Sequence, residues 1–466
     1  MSPWNPQARI HVFLSNMRDL YSWPWVEAQV QEAIALWNGC ALPFLPDSPR
    51  YTPREQRKRE KAYDKGLRAV QREARRVPRT SAERLQVRQR IVALFPGFAA
   101  TALGLEGEAI QLLTHSFLPM GTQLARWARS FDPTLSMADT IQASRNAWTC
   151  CGLQPLLGQS MELTPSILAY SLLYPYSDNY LDQPDLSADD KLRFSDRFRQ
   201  RLRGQGPAPY NSREAAIWKL VQLIEDQYPR QRYPQVFDSL LAIHQAQEQS
   251  IAQLNAGAHP NNSLDNSELL RISCAKGGTS VLADACLAQP KLNAEEIAFS
   301  FEWGVLLQLG DDLQDVQEDL DRGSITIFTR AVAQGAVLDG LVMQLLHFSH
   351  HVADRIDRLP SGTPSLKGLL RMSWRSLILM AVANAHQFFS PAFLAQLEPC
   401  SSFRFEFLRA RNNKLSGRQA LFTTLFDAFL EAGEGDPSRL PSSVASLPTQ
   451  EIHPGIELAS LTNSFA

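Results

Sequence analysis

The sequence predicts an all-α protein: a single large helical bundle preceded by a basic N-terminal accessory region. Three observations lead there. From about Ile91 to Ala432, apolar residues recur at intervals of three and four. Pro and Gly clusters punctuate these segments. No run shows the strict alternation of a half-buried strand. The chain has 466 residues, 44% apolar and 20% charged, enough for one large core or two to three ordinary ones, and its composition is that of folded protein.

Taken in order, residues 1–49 carry Pro and Trp without a readable period. From Arg50 to Arg90 stand 15 Arg or Lys against five acidic residues, with few large apolar side chains. This predicts solvated helix with breaks at Pro53 and Pro78. A solvated face is the ordinary reading of such a run, with RNA and anionic lipid as the other two. No aromatics interleave the basic residues in the way a single-strand-binding surface needs. Helices are then expected near 106–130, 136–150, 164–182, 188–203, 212–227, 233–255, 265–288, 293–321, 325–358, 365–387, 403–410 and 416–432. The segment from 293 has clear ends, with Asn293 as N-cap, Glu296 completing a capping box and Gly323 as the stop. The tail after Glu434 is rich in Gly, Pro and Ser and reads as flexible. The expected division is therefore 1–92, 93–434 and 435–466.

Several function classes are disfavoured. A net charge of −2 predicts no strong overall pull toward nucleic acid or anionic membrane, and a peripheral membrane contact through residues 50–90 is the one membrane option. The six cysteines (Cys40, Cys150, Cys151, Cys274, Cys286 and Cys400) have neither CxxC spacing nor disulfide-scaffold density, so they read as reduced thiols. No signal-peptide pattern and no span of about 18 apolar residues is present, and a cytoplasmic location is expected. GxGxxG, Walker, nucleophile-elbow and HExxH patterns are absent.

Two aspartate clusters carry the chemistry. Asp178 and Asp182 close the apolar run LTPSILAYSLLYPYS; Asp311, Asp312 and Asp315, continuing to Asp319, follow FSFEWGVLLQLG. Residues four apart share a helix face, so each cluster aims carboxylates in one direction. They do so at a helix C-terminus, where the macrodipole is already negative. A DxxxD alone occurs by chance in a chain with 25 Asp; the apolar helices before these two set them apart. Asp185 and Asp189 share the spacing but lie beyond Pro184 in polar sequence. A hard divalent cation such as Mg²⁺, which favours carboxylates together with phosphate oxygens, suits two facing banks of this kind. Metal ions held there could grip a diphosphate and act as Lewis acids while an apolar interior shields a carbocation.

At these residues the chain resembles the class I isoprenoid synthase superfamily. The likeness covers roughly residues 95–430 and is strongest over 269–330. It is closest to the squalene/phytoene-synthase-like enzymes and the bacterial large-terpene synthases, whose first motif is DxxxD. LLQLGDDLQDVQEDL looks like the second aspartate-rich motif. The resemblance implies the isoprenoid synthase fold, with Asp178, Asp182, Asp311 and Asp315 as metal ligands and Asp312 and Asp319 beside them. RISCAKGGTSVLADACLA is similar to the family's kinked helix, so Gly277 and Gly278 would loosen the helix and Lys276 would meet the diphosphate. Arg322 and Arg271 are further diphosphate candidates. Asn179, where chain-elongating enzymes have Asp, disfavours elongation. The implied activity is Mg²⁺-dependent ionisation of a linear polyprenyl diphosphate to a terpene, with release of pyrophosphate. Head-to-head coupling of two prenyl diphosphates and a non-catalytic helical adaptor remain the alternatives.

Other residues invite a double reading. His347, His350 and His351 with Asp354 and Asp357 form either a solvated face or a metal group. Tyr170, Tyr174, Tyr176 and Tyr180, like Phe299, Phe301 and Trp303, are either core or cation-stabilising walls. Pro175 is expected to kink the helix before Asp178.

Overall fold

The computed structural model describes residues 24–74, 80–181, 186–255 and 264–416, and among them every regular element is a helix. In chain order these are α1 (Pro24–Gly39), α2 (Pro53–Ala74), α3 (Ser81–Phe98), α4 (Gly107–Leu112) and α5 (Leu118–Phe131). Then come α6 (Met137–Leu156), α7 (Pro165–Leu181), α8 (Ala188–Leu202), α9 (Ser212–Gln227) and α10 (Pro234–Asn255). They are followed by α11 (Asn266–Ala288), α12 (Ala294–Gln314), α13 (Val316–Arg322) and α14 (Ile327–Ala333). The last are α15 (Asp339–Arg358), α16 (Pro364–Asn384), α17 (Pro391–Leu397) and α18 (Phe405–Ser416). The segment expected to be helical over 416–432, and the tail, lie outside the described residues beyond Ser416. No described helix is long and apolar enough to cross a membrane. All six cysteines are buried free thiols.

The contacts divide the chain into two compact units. One comprises residues 1–46, 156–159 and 169–361 and holds the second aspartate cluster; the other comprises 47–155, 160–168 and 362–466. In the first, α11 and α12 make the most extensive helix pair, α10 lies against α11, and α1 packs on α11, α12 and α15. The core here is dominated by side chains such as Leu172, Phe299, Phe301, Phe328 and Phe348, all fully buried. Helix α1 falls in the stretch without a readable period. Its signals are nonetheless present: Pro24 opens it, Gly39 closes it, and Val30, Ala33 and Trp37 bury one face at intervals of three and four.

In the second unit, α2 and α3 pack together and α18 packs on α16. The inward side of α2 ties it to the chain near residue 400. Gln56 Nε2 donates to the Glu398 and Ser401 carbonyls at 3.0 and 2.9 Å. Buried Glu60 accepts from the Arg404 guanidinium at 2.7 Å, and Tyr63 sits among Phe98, Phe403 and Phe407. Pro53 opens α2 at a position where a missing N–H does no harm.

Two expected helices are each broken in two. The 325–358 segment stops at Ala333, because Gly335 adopts φ +75°, and resumes at Asp339. The 293–321 segment begins as expected, with Asn293 capping Glu295 and Glu296 and the Glu296 carboxylate returning to the Asn293 N–H. It then breaks at Asp315, whose φ and ψ of −92° and 8° separate α12 from α13. Gly323, with φ +73°, ends α13 as expected.

Candidate acidic site on helices α12 and α13

The break at Asp315 leaves the hydrogen-bond ladder nearly intact. The Asp315 N–H donates to the Asp311 carbonyl at 2.9 Å, and the Asp319 N–H to the Asp315 carbonyl at 2.8 Å. Asp311, Asp315 and Asp319 therefore climb one side of the α12–α13 rod at four-residue steps, each half-buried. Burial raises the Asp315 carboxyl well above the usual carboxylate range, and the neighbouring Asp311 charge raises it further. The same two causes, in the same order, lift Asp319 to about 6. Lys276, on α11, acts weakly on Asp319 in the opposite sense, after burial, the Asp311 and Glu318 charges and Arg322. Negative charge gathered on one face, offered through carboxylate oxygens, is the donor chemistry that suits a hard divalent cation.

Asp312 has a different role. It is 7% exposed and turned toward α11, where Oδ2 accepts from Ser273 Oγ and Oδ1 from Gln308 Nε2, both at 2.8 Å. Burial, opposed by these two donors and aided by the Asp311 charge, holds its carboxyl up at about 7. Its Oδ2 joins α12 to α11 and its Oδ1 is held within α12, whereas Asp311, Asp315 and Asp319 line the outer ladder.

The glycine pair does not loosen α11. The helix runs unbroken from Asn266 to Ala288, and the glycines serve close approach instead. A Cβ on Gly277 would stand 2.4 Å from the Gly304 carbonyl oxygen, and one on Gly304 would stand 2.0 Å from the Gly277 carbonyl oxygen. A Cβ on Gly278 would strike the Phe301 ring at 2.4 Å. Neither a kink nor a turn between two helices forms there. The hydrogen-bonding ability of a continuous helix keeps its carbonyls engaged, and the absence of side chains lets two backbones touch. Gly304 is the partner the sequence reading missed; its signal was a small residue on the apolar helix facing the Gly-Gly pair.

The remaining candidates are placed as follows. Arg322 is 68% exposed at the side chain and pairs with Glu318 at 2.5 Å, one turn back on α13, while exerting a lowering influence on Asp319. Arg271 is bound by Glu268 at 3.1 Å and approaches Glu27 of α1 at 3.9 Å. Asp178 belongs to α7, but its side chain, like the whole of Asp182, lies outside the described residues. Helix α7 does contain Pro175 within its span, and Tyr170 and Tyr176 are buried on it, the Tyr170 hydroxyl donating to the Ser280 carbonyl at 3.1 Å. Tyr180 packs edge-on against Phe194 and carries the Arg213 guanidinium 4.8 Å above its ring. Phe299, Phe301 and Trp303 are buried core. The histidines of α15 are dispersed: His347 Nε2 meets the Phe44 carbonyl at 2.6 Å, His350 is exposed, and His351 approaches Glu302 at 3.6 Å.

Two buried polar groups were invisible in the sequence. Glu302, midway along α12, has its Oε2 2.8 Å from Arg355 Nε, yet burial outweighs the guanidinium and raises its carboxyl to about 7. Between α8 and α10, Glu248 takes the Ser195 hydroxyl and the Arg199 guanidinium on Oε1, with His244 one turn away. Burial keeps the His244 ring below its usual pKa and therefore neutral. An i,i+4 His–Glu pair on an apolar helix was the only sequence trace of this group.

Among the described residues, no three His, Cys, Asp or Glu side chains converge as a ready-made metal cage. Comparison with models of protein families, with curated proteins and with solved structures gave no match to this chain.

Proposed function

We propose that the chain is a Mg²⁺-dependent class I terpene synthase that ionises a linear polyprenyl diphosphate and releases pyrophosphate. One observation carries the reading: Asp311, Asp315 and Asp319 form a half-buried ladder in which burial and the Asp311 charge raise the carboxyls of Asp315 and Asp319, at the end of a helix buried along most of its length. Asp311, Asp315 and Asp319 would hold the cation on this side, and Asp178 and Asp182, from the first motif, on the other. Bound Mg²⁺ supplies Lewis-acid neutralisation of the charge that develops on the departing diphosphate. Lys276 on α11 and Arg322 at the end of α13 would meet diphosphate oxygens with an ammonium and a guanidinium. Asp312, bonded to Ser273 and Gln308, positions the ladder by pinning α12 to α11. The apolar stretch below the ladder excludes water from a cationic intermediate.

The test is pyrophosphate release from geranylgeranyl and longer prenyl diphosphates, with and without Mg²⁺. The intact chain is expected to release pyrophosphate only with the metal, and Asp311→Ala to reduce release by about a hundredfold or more, as loss of a principal electrostatic stabiliser does. Release that is absent with every prenyl diphosphate, or unaffected in Asp311→Ala, removes the enzyme reading in favour of a helical adaptor. A product containing two joined prenyl units assigns the chain to head-to-head coupling instead.

A further inference from the structure

The outer face of α2 is uniformly basic. Arg54, Arg57, Lys58, Lys61, Lys65, Arg68 and Arg72 are all exposed. At about 100° per residue these seven fall within an arc of roughly 100°, and no other residue of the helix falls inside it. At 1.5 Å per residue the stripe is about 27 Å long. The acids of the helix do not neutralise it. Glu60 is bound by Arg404, Asp64 by Arg411 and Glu73 by Arg90, while Glu55 is taken up by Thr52 at the helix start. Among the described residues no ion pair engages any of the seven. Like charges at i,i+3 and i,i+4 destabilise a helix, so the stripe opposes the stability of α2 unless an anionic surface covers it.

We infer that this face docks the protein on an anionic lipid bilayer. The stripe presents charge and nothing else: no aromatic side chain to stack a base and no Ser, Thr, Asn or Gln to read one. The whole chain carries a net charge of −2 and a pI near 6.5, so attraction to an anionic surface is confined to this face. A bilayer meets a single face, and each Lys or Arg within a Debye length of an anionic leaflet adds to the attraction. The apolar side of α2 is occupied by the packing of Tyr63 with Phe98, Phe403 and Phe407, so attachment is by charge at the headgroups rather than by insertion. The inference does not depend on the proposed chemistry, although a polyprenyl diphosphate is itself a membrane amphiphile.

The experiment is co-sedimentation of the full chain with vesicles of phosphatidylcholine alone and of phosphatidylcholine with phosphatidylglycerol, at low and high salt, with no prenyl diphosphate present. The expected result is partition onto the anionic vesicles only, weakening with salt. Binding should fall at least tenfold in Lys58→Gln/Lys61→Gln/Lys65→Gln/Arg68→Gln and be retained in Lys58→Arg/Lys61→Arg/Lys65→Arg. Equal partition onto neutral vesicles, no partition at all, or full binding by a folded glutamine variant overturns the inference. So does binding to an RNA oligonucleotide under conditions where anionic vesicles are ignored. If the glutamine variant does not fold, the salt and lipid dependence of the intact chain decides. Pyrophosphate release in detergent solution is a separate readout, so either reading can fail without the other.

Discussion

Replacing Gly304 by alanine tests the backbone contact between α11 and α12. The added methyl would lie 2.0 Å from the Gly277 carbonyl oxygen, 2.7 Å from the Gly277 carbonyl carbon and 3.0 Å from Gly278 Cα. Every obstacle is helix backbone, which cannot rotate aside as a side chain can. Restoring ordinary contact near 3.5 Å requires α11 and α12 to part by about 1.5 Å. That movement also lifts Phe301 from the surface of Gly278. Overpacking of this kind typically costs about 1–3 kcal/mol, and backbone against backbone belongs at the upper end. Alanine returns about 1 kcal/mol of helix propensity. The net expectation is a loss of about 2 kcal/mol, or a fall in Tm of about 4–8 °C for a unit of this size. Far-UV circular dichroism during heating measures it. Gly368→Ala is the internal control: Gly368 is exposed on α16 and an added Cβ there meets nothing within 4 Å. That variant should be neutral or stabilised by up to about 1 kcal/mol. A Gly304→Ala protein that melts at or above the wild-type temperature would refute the contact and, with it, the account of why three glycines face one another.

Two further outcomes follow from buried charge. Glu302 has a folded pKa of about 7, above its ordinary 4.5, so its contribution to stability is fully present below pH 4.5 and is lost as pH rises through 7. Arg355, His351, Glu295, Glu32 and Cys40 are the charged or titratable groups that act on it or feel it. The difference in urea midpoint between wild type and Glu302→Gln should therefore shift by the equivalent of roughly 2–3 kcal/mol between pH 5 and pH 8, wild type losing ground at the higher pH; a difference that is flat across this range would contradict the assignment. In the other unit, Arg404→Met strands the Glu60 carboxylate, which is 5% exposed, and should lower stability by about 2–4 kcal/mol in urea denaturation. The double variant with Glu60→Gln should recover part of that loss, as paired sites do.

The fold class was legible because it depends on a repeated signal. Three- and four-residue apolar spacing recurs in nearly every helix from α4 to α16, and caps such as Asn293 with Glu296 are local chemistry that a sequence displays directly. The breaks at Asp315 and Gly335 were less visible. Each is a single residue inside a pattern that continues in phase on both sides, and apolar spacing is blind to such a pause. The second aspartate cluster was legible as a face, since four-residue spacing places Asp311, Asp315 and Asp319 together whatever surrounds them. The separation of Asp312 was not, because it depends on Ser273, almost forty residues earlier, arriving at hydrogen-bond distance. The role of Gly277 and Gly278 went astray for a related reason. A glycine pair in isolation is a weak point in a helix; the same pair opposite Gly304 is a contact surface, and only the tertiary partner distinguishes them.

That contact bears on the acidic ladder as well as on stability. Gly304 lies two helical turns before Asp311 on α12, and Lys276 immediately precedes Gly277 on α11. Backbone contact at 277 and 304 therefore sets both the spacing and the register of the two helices, because neither can slide without driving a Cα into a carbonyl. The Ser273–Asp312 hydrogen bond is a second pin, one to two turns farther along the pair. Two fixed points define the relative placement of two rods. With both in place, the outer acids keep one alignment, although α13 is only seven residues long and begins at a break. An acidic ladder on a short helix would otherwise splay under its own repulsion. The pinned pair α11–α12 fixes the base from which the half-buried carboxylates of Asp311, Asp315 and Asp319 are presented on one side.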